Sequence, residues 1–563
     1  MRLHRWLIPI AALVALTPLM LGGPSCGKDS IFHFQSWLDA ATQLRHGTLY
    51  PRWNFLAAYN AGEPRYLFYP PISWYLGGLL ALLAPFQAVP VLLAWIALSI
   101  AGFSMRRLVA PWTTESTALI AACLYLANPF MLFSLLARDA YGEIFAAAFC
   151  PLLIRAALDE TPEIWGMAVP LALMWLSNVP GGVIGTYLLA LLALIRILPA
   201  LRRSGPQAGR LFFTFATSFA LAFAFAAFYL LPAIYQRRFI HLAAAFPPGL
   251  RPTDNLFFQR SLIPAYDGFL IQVEHLAFAL IGITALVLLA VWLRERRSST
   301  ILSSIGSPIA ILTLTLSFFL TGFSAPLWRT LPELWLVQFP WRLLFVLAAC
   351  TAIALALLLR PQQLGDGTTV LSCLALVLAV AIPFTHAYRF GCSPLDTAAG
   401  IRDRLMNHHS FEPIDEYVVA TGDAGYLRPD NPPHWIAQNP VDYAPGTTPN
   451  MAGIVPDAQM PAVPDNAHLF ATELHFTLES ARAAFLVVNL QDYPNWHVTR
   501  NGSLIPTHLP RPDGLLALSI PHGESVIDIT WHHTWDEVLG AVITTLTMLL
   551  WGICRRRRTS SVS

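Results

Sequence analysis

Long apolar runs recur along this chain of 563 residues, and they constrain its fold more than any other feature. They are about 16 to 22 residues long, close to the roughly 20 that a helix needs to cross the hydrocarbon core of a bilayer. Of all residues 55% are hydrophobic and only 12% are charged, and the mean hydropathy is +0.54. This composition excludes a soluble multidomain protein and predicts a mainly α-helical, polytopic membrane protein.

Arginine clusters between the apolar runs predict how the chain is oriented, because such clusters favour the cytoplasmic side. All of these clusters fall on the cytoplasmic side only if the short run 72–86 does not cross the bilayer. This run is flanked by prolines, and we expect it to form an interfacial helix instead. We therefore expect a transmembrane bundle of about twelve spans with both termini in the cytoplasm. The predicted spans are 6–22, 88–105, 116–135, 144–158, 164–178, 182–199, 211–232, 275–293, 307–322, 342–359, 369–385 and 537–553.

The polar segments between the predicted spans define the domain organisation. Residues 1–385 are expected to form a transmembrane domain with a large first outer loop, 23–87, and residues 537–563 the last span with a basic tail. Between them, 386–536 has the length of a soluble domain and is expected to be extracytoplasmic. Its second half alternates apolar and polar residues, which predicts a β-rich, sandwich-like domain. The predicted strands are 484–490, 496–500, 515–520 and 526–531, with hairpin turns at Asn501-Gly502 and His522-Gly523.

Acidic residues stand at two places on the predicted outer rim, Asp29 after the first span and Asp139 with Glu143 between the third and fourth. Carboxylates are rarely placed so close to a membrane without a use. One of them can act as general base toward an acceptor hydroxyl, and a pair can hold a divalent cation such as Mg²⁺ or Mn²⁺. Asp29, Asp139 and Glu143 are therefore the candidate catalytic residues. The alternative is that Asp29 is a helix cap or a solvated charge and that Glu143 only pairs with Arg138.

Basic side chains near these acids indicate a phosphate ligand, since the guanidinium fork matches phosphate oxygens. The candidates for contact with a phosphate are His33, Arg52, Arg65, Arg138 and Arg342. Each arginine has the alternative role of an interface anchor or a structural ion-pair partner. Two cysteines, Cys26 and Cys392, lie in polar surroundings, and whether they form a disulfide is open because the sequence does not give their Cα separation.

Several short motifs, in their order along the chain, carry a resemblance to a known superfamily. They are Tyr50-Pro51-Arg52-Trp53, Asn60-Ala61-Gly62, Phe68-Tyr69-Pro70-Pro71, Arg138-Asp139-Ala140 with Glu143, Gln338-Phe339-Pro340-Trp341-Arg342, Glu416-Tyr417, and Tyr493-Pro494-Asn495-Trp496 with Asn501-Gly502. With them the chain resembles bacterial membrane proteins of the GT-C glycosyltransferase superfamily. Within it, the chain is most similar to the family catalogued as 6-pyruvoyl-tetrahydropterin synthase-related and to the YfhO-like proteins.

The resemblance implies a sugar donor linked to polyprenyl phosphate and an acceptor in the cell envelope, a glycan, a lipid or a protein, at the bacterial inner membrane. By position, Asp29 matches the first-loop catalytic carboxylate, and Asp139 and Glu143 match the second-loop acids. Many members have two adjacent acids where this chain has Lys28-Asp29. Metal dependence is therefore open, with Asp29 and Asp139 as the ligands if there is a metal, and Lys28 becomes a further candidate for phosphate contact.

Neither a pterin nor zinc is expected, because the histidine pairs 408–409 and 532–533 are adjacent residues and no compact set of three histidines is present. No long basic run suggests a nucleic-acid partner. Two alternatives to a glycosyltransferase remain, a transporter or flippase of lipid-linked sugars and a non-catalytic membrane protein that binds envelope glycans. The predicted spans carry few ionisable groups, which favours a reaction at the rim over ion-coupled transport.

Overall fold

The computed structural model describes residues 2–202, 206–295, 302–360, 362–407, 410–444, 470 and 472–560. Over these residues the chain forms nineteen α-helices. Their bounds are α1 Arg2–Gly22, α2 Ser30–Arg45, α3 Arg65–Phe68, α4 Pro71–Leu83, α5 Val89–Val109, α6 Glu115–Leu126, α7 Pro129–Leu136, α8 Tyr141–Leu158, α9 Ile164–Ser177, α10 Val179–Arg202, α11 Gln207–Phe225, α12 Ala227–Gln236, α13 Asp267–Glu295, α14 Ser307–Phe319, α15 Ala325–Thr330, α16 Leu344–Leu359, α17 Asp366–Tyr388, α18 Ala398–Met406 and α19 Trp535–Ser560.

Nine helical segments within the described residues are long and apolar enough to cross a membrane. They are Phe86–Trp112, Glu115–Leu136, Tyr141–Leu158, Val179–Arg202, Gln207–Phe225, Asp267–Glu295, Pro340–Leu359, Asp366–Tyr388 and Trp535–Arg556. The protein is thus a multi-pass membrane protein. Three further predicted spans coincide with the shorter apolar helices Trp6–Gly22, Ile164–Ser177 and Ser304–Phe319, so the count of twelve remains a prediction.

Helix α4 covers most of the run that was expected not to span, and it packs along α2. Pro70, just before it, lines a cavity together with Asp29. The chain that follows α4 packs against α18, and the Phe86 ring lies 6.4 Å from the ring of Phe34 in α2. The chain on either side of α4 therefore lies near α2, and the interfacial position of α4 stays a prediction.

Within the described residues, seven strands form two antiparallel sheets near the C-terminus. The strands are β1 His434–Ala437, β2 Glu473–Ser480, β3 Ala484–Gln491, β4 Trp496–Arg500, β5 Ser503–Ile505, β6 Leu515–Ile520 and β7 Gly523–Trp531. Their orders are β1-β3-β6 and β2-β7-β4-β5. Inward-facing residues of both sheets, such as Leu486 and Leu518 of the first and Val498 and Ile529 of the second, share one apolar core. This is the sandwich-like arrangement expected from alternating strands.

The four predicted strands are present as β3, β4, β6 and β7, with shifts at their ends, whereas β1, β2 and β5 were not among the predicted ranges. Asn501-Gly502 forms the predicted hairpin between β4 and β5, with both residues at positive φ. The prediction of a second hairpin at His522-Gly523 is wrong, because β6 and β7 belong to different sheets. This turn instead carries the chain from one layer of the sandwich to the other.

The first outer loop packs against the sandwich. Trp53 and Phe55 belong to the same apolar cluster as the inward faces of both sheets. The side chain of Gln491 donates to the carbonyl oxygen of Gly62 at 2.6 Å and accepts from the N–H of Val419 at 2.8 Å. The loop and the β-rich region are therefore one packed unit on the side of the bundle where the cavity lies.

A disulfide joins Cys26 to Cys392, whose Cα atoms are 5.0 Å apart. It settles the pairing that the sequence left open. The bond links the segment between α1 and α2 to the segment after α17, and both segments lie at the cavity.

Candidate functional site

A cavity of about 540 Å³ lies between the start of α2, the turn that joins α7 to α8, and the approach to α16. Six of the nine predicted site residues line it: Lys28, Asp29, His33, Arg138, Glu143 and Arg342. Residues that are far apart in the sequence thus converge here. The cavity is the candidate functional site.

Asp29 stands immediately before α2, and backbone hydrogen bonds fix its position. Its N–H donates to the carbonyl oxygen of Arg138 at 2.9 Å, and its own carbonyl accepts from the N–H of His33 at 3.1 Å. Its Oδ2 accepts from Nη2 of Arg138 at 3.0 Å, and its side chain is 36% exposed. Burial raises the pKa of the Asp29 carboxyl above its usual value, although the Arg138 guanidinium opposes this. A carboxyl group of this kind, open to a cavity, has the properties of a general base.

Glu143 joins the two arginines of the cavity, and we call Arg138, Glu143 and Arg342 the arginine clamp. Glu143 Oε1 accepts from Nη1 of Arg138 at 2.5 Å and from Nε of Arg342 at 2.7 Å. None of the three side chains is more than 12% exposed. Because its bonded oxygen is shared by two guanidinium groups, Glu143 is placed to hold them side by side. These contacts favour a role for Glu143 in positioning the arginines, and its catalytic role stays a prediction.

His33 lies in the first turn of α2, and its imidazole is held by packing alone. The residue is 1% exposed, and its ring packs edge-on against Tyr69 and Tyr141 at centroid distances of 5.7 and 5.3 Å. Its Nδ1 is buried and has no hydrogen-bond partner in the part of the chain that is described. Burial, followed by the charge of Arg65, lowers the pKa of His33 to about 3. The cavity wall therefore carries a neutral imidazole with an unused nitrogen.

Lys28 is exposed at the cavity, and its ammonium lies 5.2 Å from the ring centroid of Tyr266. This distance allows a cation–π interaction. No carboxylate among the described residues pairs with Lys28. Its charge is therefore available to an anionic ligand.

Two predicted phosphate contacts, Arg52 and Arg65, lie outside the cavity lining. Arg65 is 1% exposed, and its Nε donates to Oε1 of the equally buried Glu63 at 2.6 Å. Arg52 places its Nε 3.3 Å from Oε2 of Glu537, at the start of α19. Both arginines thus have the structural ion-pair role that was the alternative, and this corrects their assignment to the donor phosphate.

Asp139, predicted as catalytic, also lies outside the cavity lining. It is 3% exposed, Oδ2 accepts from the N–H of Gly27 at 2.6 Å, and Oδ1 accepts from the hydroxyl of Tyr141 at 3.3 Å. Burial raises the pKa of its carboxyl to about 8 even though the Gly27 hydrogen bond opposes this. A Cβ on Gly27 would lie only 2.5 Å from the backbone of Arg138, so the two segments meet too closely for any other residue. Asp139 therefore fastens the Lys28–Asp29 segment to the α7–α8 turn.

A divalent cation does not fit the residues proposed to bind it. Asp29 is paired with a guanidinium group, whereas the carboxylate of Asp139 is engaged by a backbone N–H and a tyrosine hydroxyl. The described residues also contain no group of three histidine, cysteine or carboxylate side chains arranged to hold a metal. The two predicted ligands face different partners and do not form a common site.

The lining also contains residues that were not predicted as site residues, and three polar ones among them are Tyr69, Gln338 and Glu416. Each belongs to a motif quoted above for the resemblance, which is the only signal that pointed to them. Gln338 has a φ of +62°, a left-handed conformation that costs free energy for a residue other than glycine. Its side chain donates to the carbonyl oxygen of Ala245 at 2.8 Å and so ties two cavity walls together.

Much of the cavity lining is apolar. The apolar members include Val179, Leu242, Ala245, Phe246, Leu250, Phe269, Leu336, Phe339 and Phe390. The same lining carries the cations Lys28, Arg138 and Arg342 and the carboxyl groups Asp29, Glu143 and Glu416. This arrangement suits a ligand with an anionic head and an apolar tail.

Comparison with known proteins gives only remote similarities. No family model and no curated protein matches the chain. A cryo-EM structure of the arabinofuranosyltransferase AftD from Mycobacteria aligns with 17% identity and a TM-score of 0.39, over 73% of this chain and 28% of that one. A mutant form of AftD aligns with 14% identity and a TM-score of 0.35, over 95% and 60% of the two chains. The chain thus spans less than two thirds of the length of either, and these TM-scores are too low to assign a fold or function.

Proposed function

We propose that this protein is a GT-C-like membrane glycosyltransferase that moves a sugar from a polyprenyl-phosphate donor to an acceptor in the cell envelope. The observation that carries the proposal is one cavity whose lining combines many apolar side chains with Lys28, Arg138, Arg342 and an accessible carboxyl group, Asp29. An amphipathic, phosphate-bearing lipid has the chemistry that such a cavity recognises. The order of the sequence motifs supports the same assignment independently.

The donor phosphate is proposed to lie against Lys28, Arg342 and the imidazole of His33. Lys28 supplies a charge without a carboxylate partner, and His33 a buried nitrogen without a partner, among the described residues. Arg342 uses Nε and Nη1 for protein contacts, and no described residue accepts from its Nη2. Cations placed around the phosphate stabilise the charge that grows on it as it leaves.

The reaction we propose needs one proton acceptor. The acceptor hydroxyl oxygen forms a bond to the anomeric carbon while the bond from that carbon to the phosphate oxygen breaks, which releases the polyprenyl phosphate anion. The hydroxyl proton passes to the carboxylate of Asp29, whose Arg138 partner keeps it oriented. A raised pKa brings Asp29 closer to the working pH, which favours this step.

The experiment that tests the proposal uses purified full-length protein in detergent or lipid nanodiscs. It is incubated with radiolabelled undecaprenyl-phosphate hexoses and pentoses together with a bacterial membrane fraction, and the label that leaves the lipid phase is counted. Transfer that depends on the protein supports the proposal. Binding of a donor without any release of label would favour the flippase or glycan-binding alternatives.

A further inference from the structure

A cavity of about 590 Å³ lies at the other end of α8 and α9 from the cavity that Asp29 lines, and we call it the Arg107 cavity. Glu143, in the first turn of α8, lines the Asp29 cavity, whereas Arg155, near the end of the helix, lines the Arg107 cavity. The 18 residues of α8 extend over about 27 Å, close to the roughly 30 Å of a hydrocarbon core. The Arg107 cavity therefore lies at the opposite membrane boundary.

Four helices supply the lining of the Arg107 cavity: α5, α8, α9 and α19. Helix α8 packs against both α5 and α9, whereas α19 packs mainly against α11 and α12. The cavity thus lies where the end of α19 meets the group formed by α5, α8 and α9. Its apolar lining includes Leu152, Ala156, Val169 and Pro170.

The charged lining of the Arg107 cavity leaves two guanidinium groups without an acidic partner. Three arginines line it, Arg107, Arg155 and Arg555, together with two carboxylates, Asp159 and Glu163. Arg155 is neutralised, because its Nη1 lies 2.5 Å from Oδ2 of Asp159. Arg107 and Arg555 are exposed, and no carboxylate of the described chain pairs with either of them. Both charges are therefore available to an anionic ligand.

An aromatic ring stands next to each of these two arginines, one helical turn nearer the middle of the bundle. Trp551 precedes Arg555 on α19, and the guanidinium carbon lies 5.8 Å from a ring centroid of the indole. Phe103, which is 42% exposed, precedes Arg107 on the same face of α5. Tryptophan is enriched at the boundary between membrane and water. Each free charge thus continues into an apolar surface on the bilayer side.

We propose that the Arg107 cavity binds an anionic phospholipid, with its phosphate against Arg107 and Arg555 and its acyl chains along Phe103 and Trp551. The guanidinium fork matches phosphate oxygens, and a basic pocket between transmembrane helices has the chemistry that recognises such a headgroup. A free phosphate would leave the adjoining apolar surface unused, which favours a lipid. The bound headgroup would link α5 to α19, the helix that follows the sandwich. This inference does not depend on the proposed function.

The test measures the binding of radiolabelled phosphatidylglycerol to the purified full-length protein in neutral detergent. The variant is Arg107→Gln/Arg555→Gln, and the matched control is Arg202→Gln/Arg210→Gln. The control removes two exposed arginines that do not line the cavity, at the end of α10 and the start of α11. Each basic residue near an anionic headgroup contributes about fivefold in affinity. We therefore expect the affinity to fall by about 25-fold in Arg107→Gln/Arg555→Gln and by less than about twofold in the control.

Competition identifies the ligand class. Unlabelled phosphatidylglycerol should displace the label from the wild type, whereas the zwitterionic phosphatidylcholine and inorganic phosphate at the same concentration should not. Displacement by either of these as effective as that by phosphatidylglycerol overturns the proposal, and so does an equal loss of affinity in the two double variants.

Thermal unfolding supplies a second measurement. Arg107 and Arg555 have no ion pair to lose, so their variants are expected to fold, and Arg107→Lys/Arg555→Lys, which keeps both charges, should bind within about fivefold of the wild type. Because a ligand that binds only the folded state stabilises it, phosphatidylglycerol should raise the Tm of the wild type and of the lysine variant but not that of the glutamine variant. An equal rise in all three proteins would overturn the proposal.

Discussion

Replacing Glu143 by glutamine separates a structural role for the arginine clamp from a direct role in catalysis. Glutamine preserves the size of the side chain and one acceptor oxygen, but it removes the charge that faces both Arg138 and Arg342. Removing one partner of a buried ion pair costs about 3–5 kcal/mol, because the remaining charge is uncompensated. Asp29 still neutralises Arg138, so we expect a cost near the lower limit, about 3 kcal/mol.

The assay is thermal unfolding of the purified protein, followed alongside donor transfer. At about 2 °C per kcal/mol for a large chain, the apparent Tm of Glu143→Gln should fall by about 6 °C. The matched control is Glu115→Gln. Glu115 pairs with Arg106 at 2.8 Å, but the two side chains are 41% and 40% exposed, so the shift should stay below about 2 °C. The double variant Glu143→Gln/Arg342→Gln should recover part of the loss because it removes one stranded charge.

Two results would refute the structural interpretation of Glu143. One is an apparent Tm for Glu143→Gln that falls no further than that of Glu115→Gln. The other is a loss of transfer with the Tm and donor affinity of the wild type, which would support the predicted catalytic role of Glu143.

Two further predictions concern His33 and the disulfide. His33→Phe should weaken donor binding by about 5- to 15-fold while it removes no protein hydrogen bond, and it should change the pH dependence of stability. The folded-state pKa of His33 is about 3, below the unfolded value of 6.5, so wild-type stability falls as the pH drops below 6.5 and His33 accounts for about 2 kcal/mol of that loss at pH 5. A His33→Phe protein that loses as much Tm as the wild type between pH 7 and pH 5 would contradict this. Cys26→Ser/Cys392→Ser should lower the free energy of unfolding by about 2–4 kcal/mol and abolish the sensitivity of the Tm to dithiothreitol, whereas Cys554→Ser should behave as the wild type.

Local patterns were sufficient to predict much of the fold. The apolar runs correspond to helices because a bilayer demands about 20 apolar residues in a row whatever their partners are. The hairpin at Asn501-Gly502 is equally local, since the turn requires positive φ at both residues. The turn at His522-Gly523 has a similar composition, but the strands that it joins do not pair with each other. Strand β6 pairs with β3, and β7 pairs with β2 and β4, because packing in the sandwich core determines the pairing.

The candidate site was harder to predict because the partner of each charge is distant in the sequence. Arg342 meets Glu143 across 199 positions, and Arg138 meets Asp29 across 109. The sequence alone does not distinguish Arg65 from Arg342. In the structure Arg65 is paired with Glu63 outside the cavity lining, whereas Arg342 lines the cavity. Glu416 lies between the loops and strands of the β-rich region, and only tertiary packing brings it into the cavity that Asp29 also lines.

Single-turnover transfer by the wild type and by Asp29→Asn is the measurement that tests the central proposal most directly. Both proteins are loaded with the same radiolabelled undecaprenyl-phosphate sugar, and donor affinity is measured first. The Asp29 carboxylate makes one partly exposed ion pair at 3.0 Å, which is worth at most about 1 kcal/mol, so Asp29→Asn should fold and bind donor nearly as the wild type does. Loss of the proton acceptor should slow transfer by about 10²- to 10⁴-fold. Equal rates of transfer in the two proteins, or a wild type that binds donor and leaves all label in the lipid, would contradict the account.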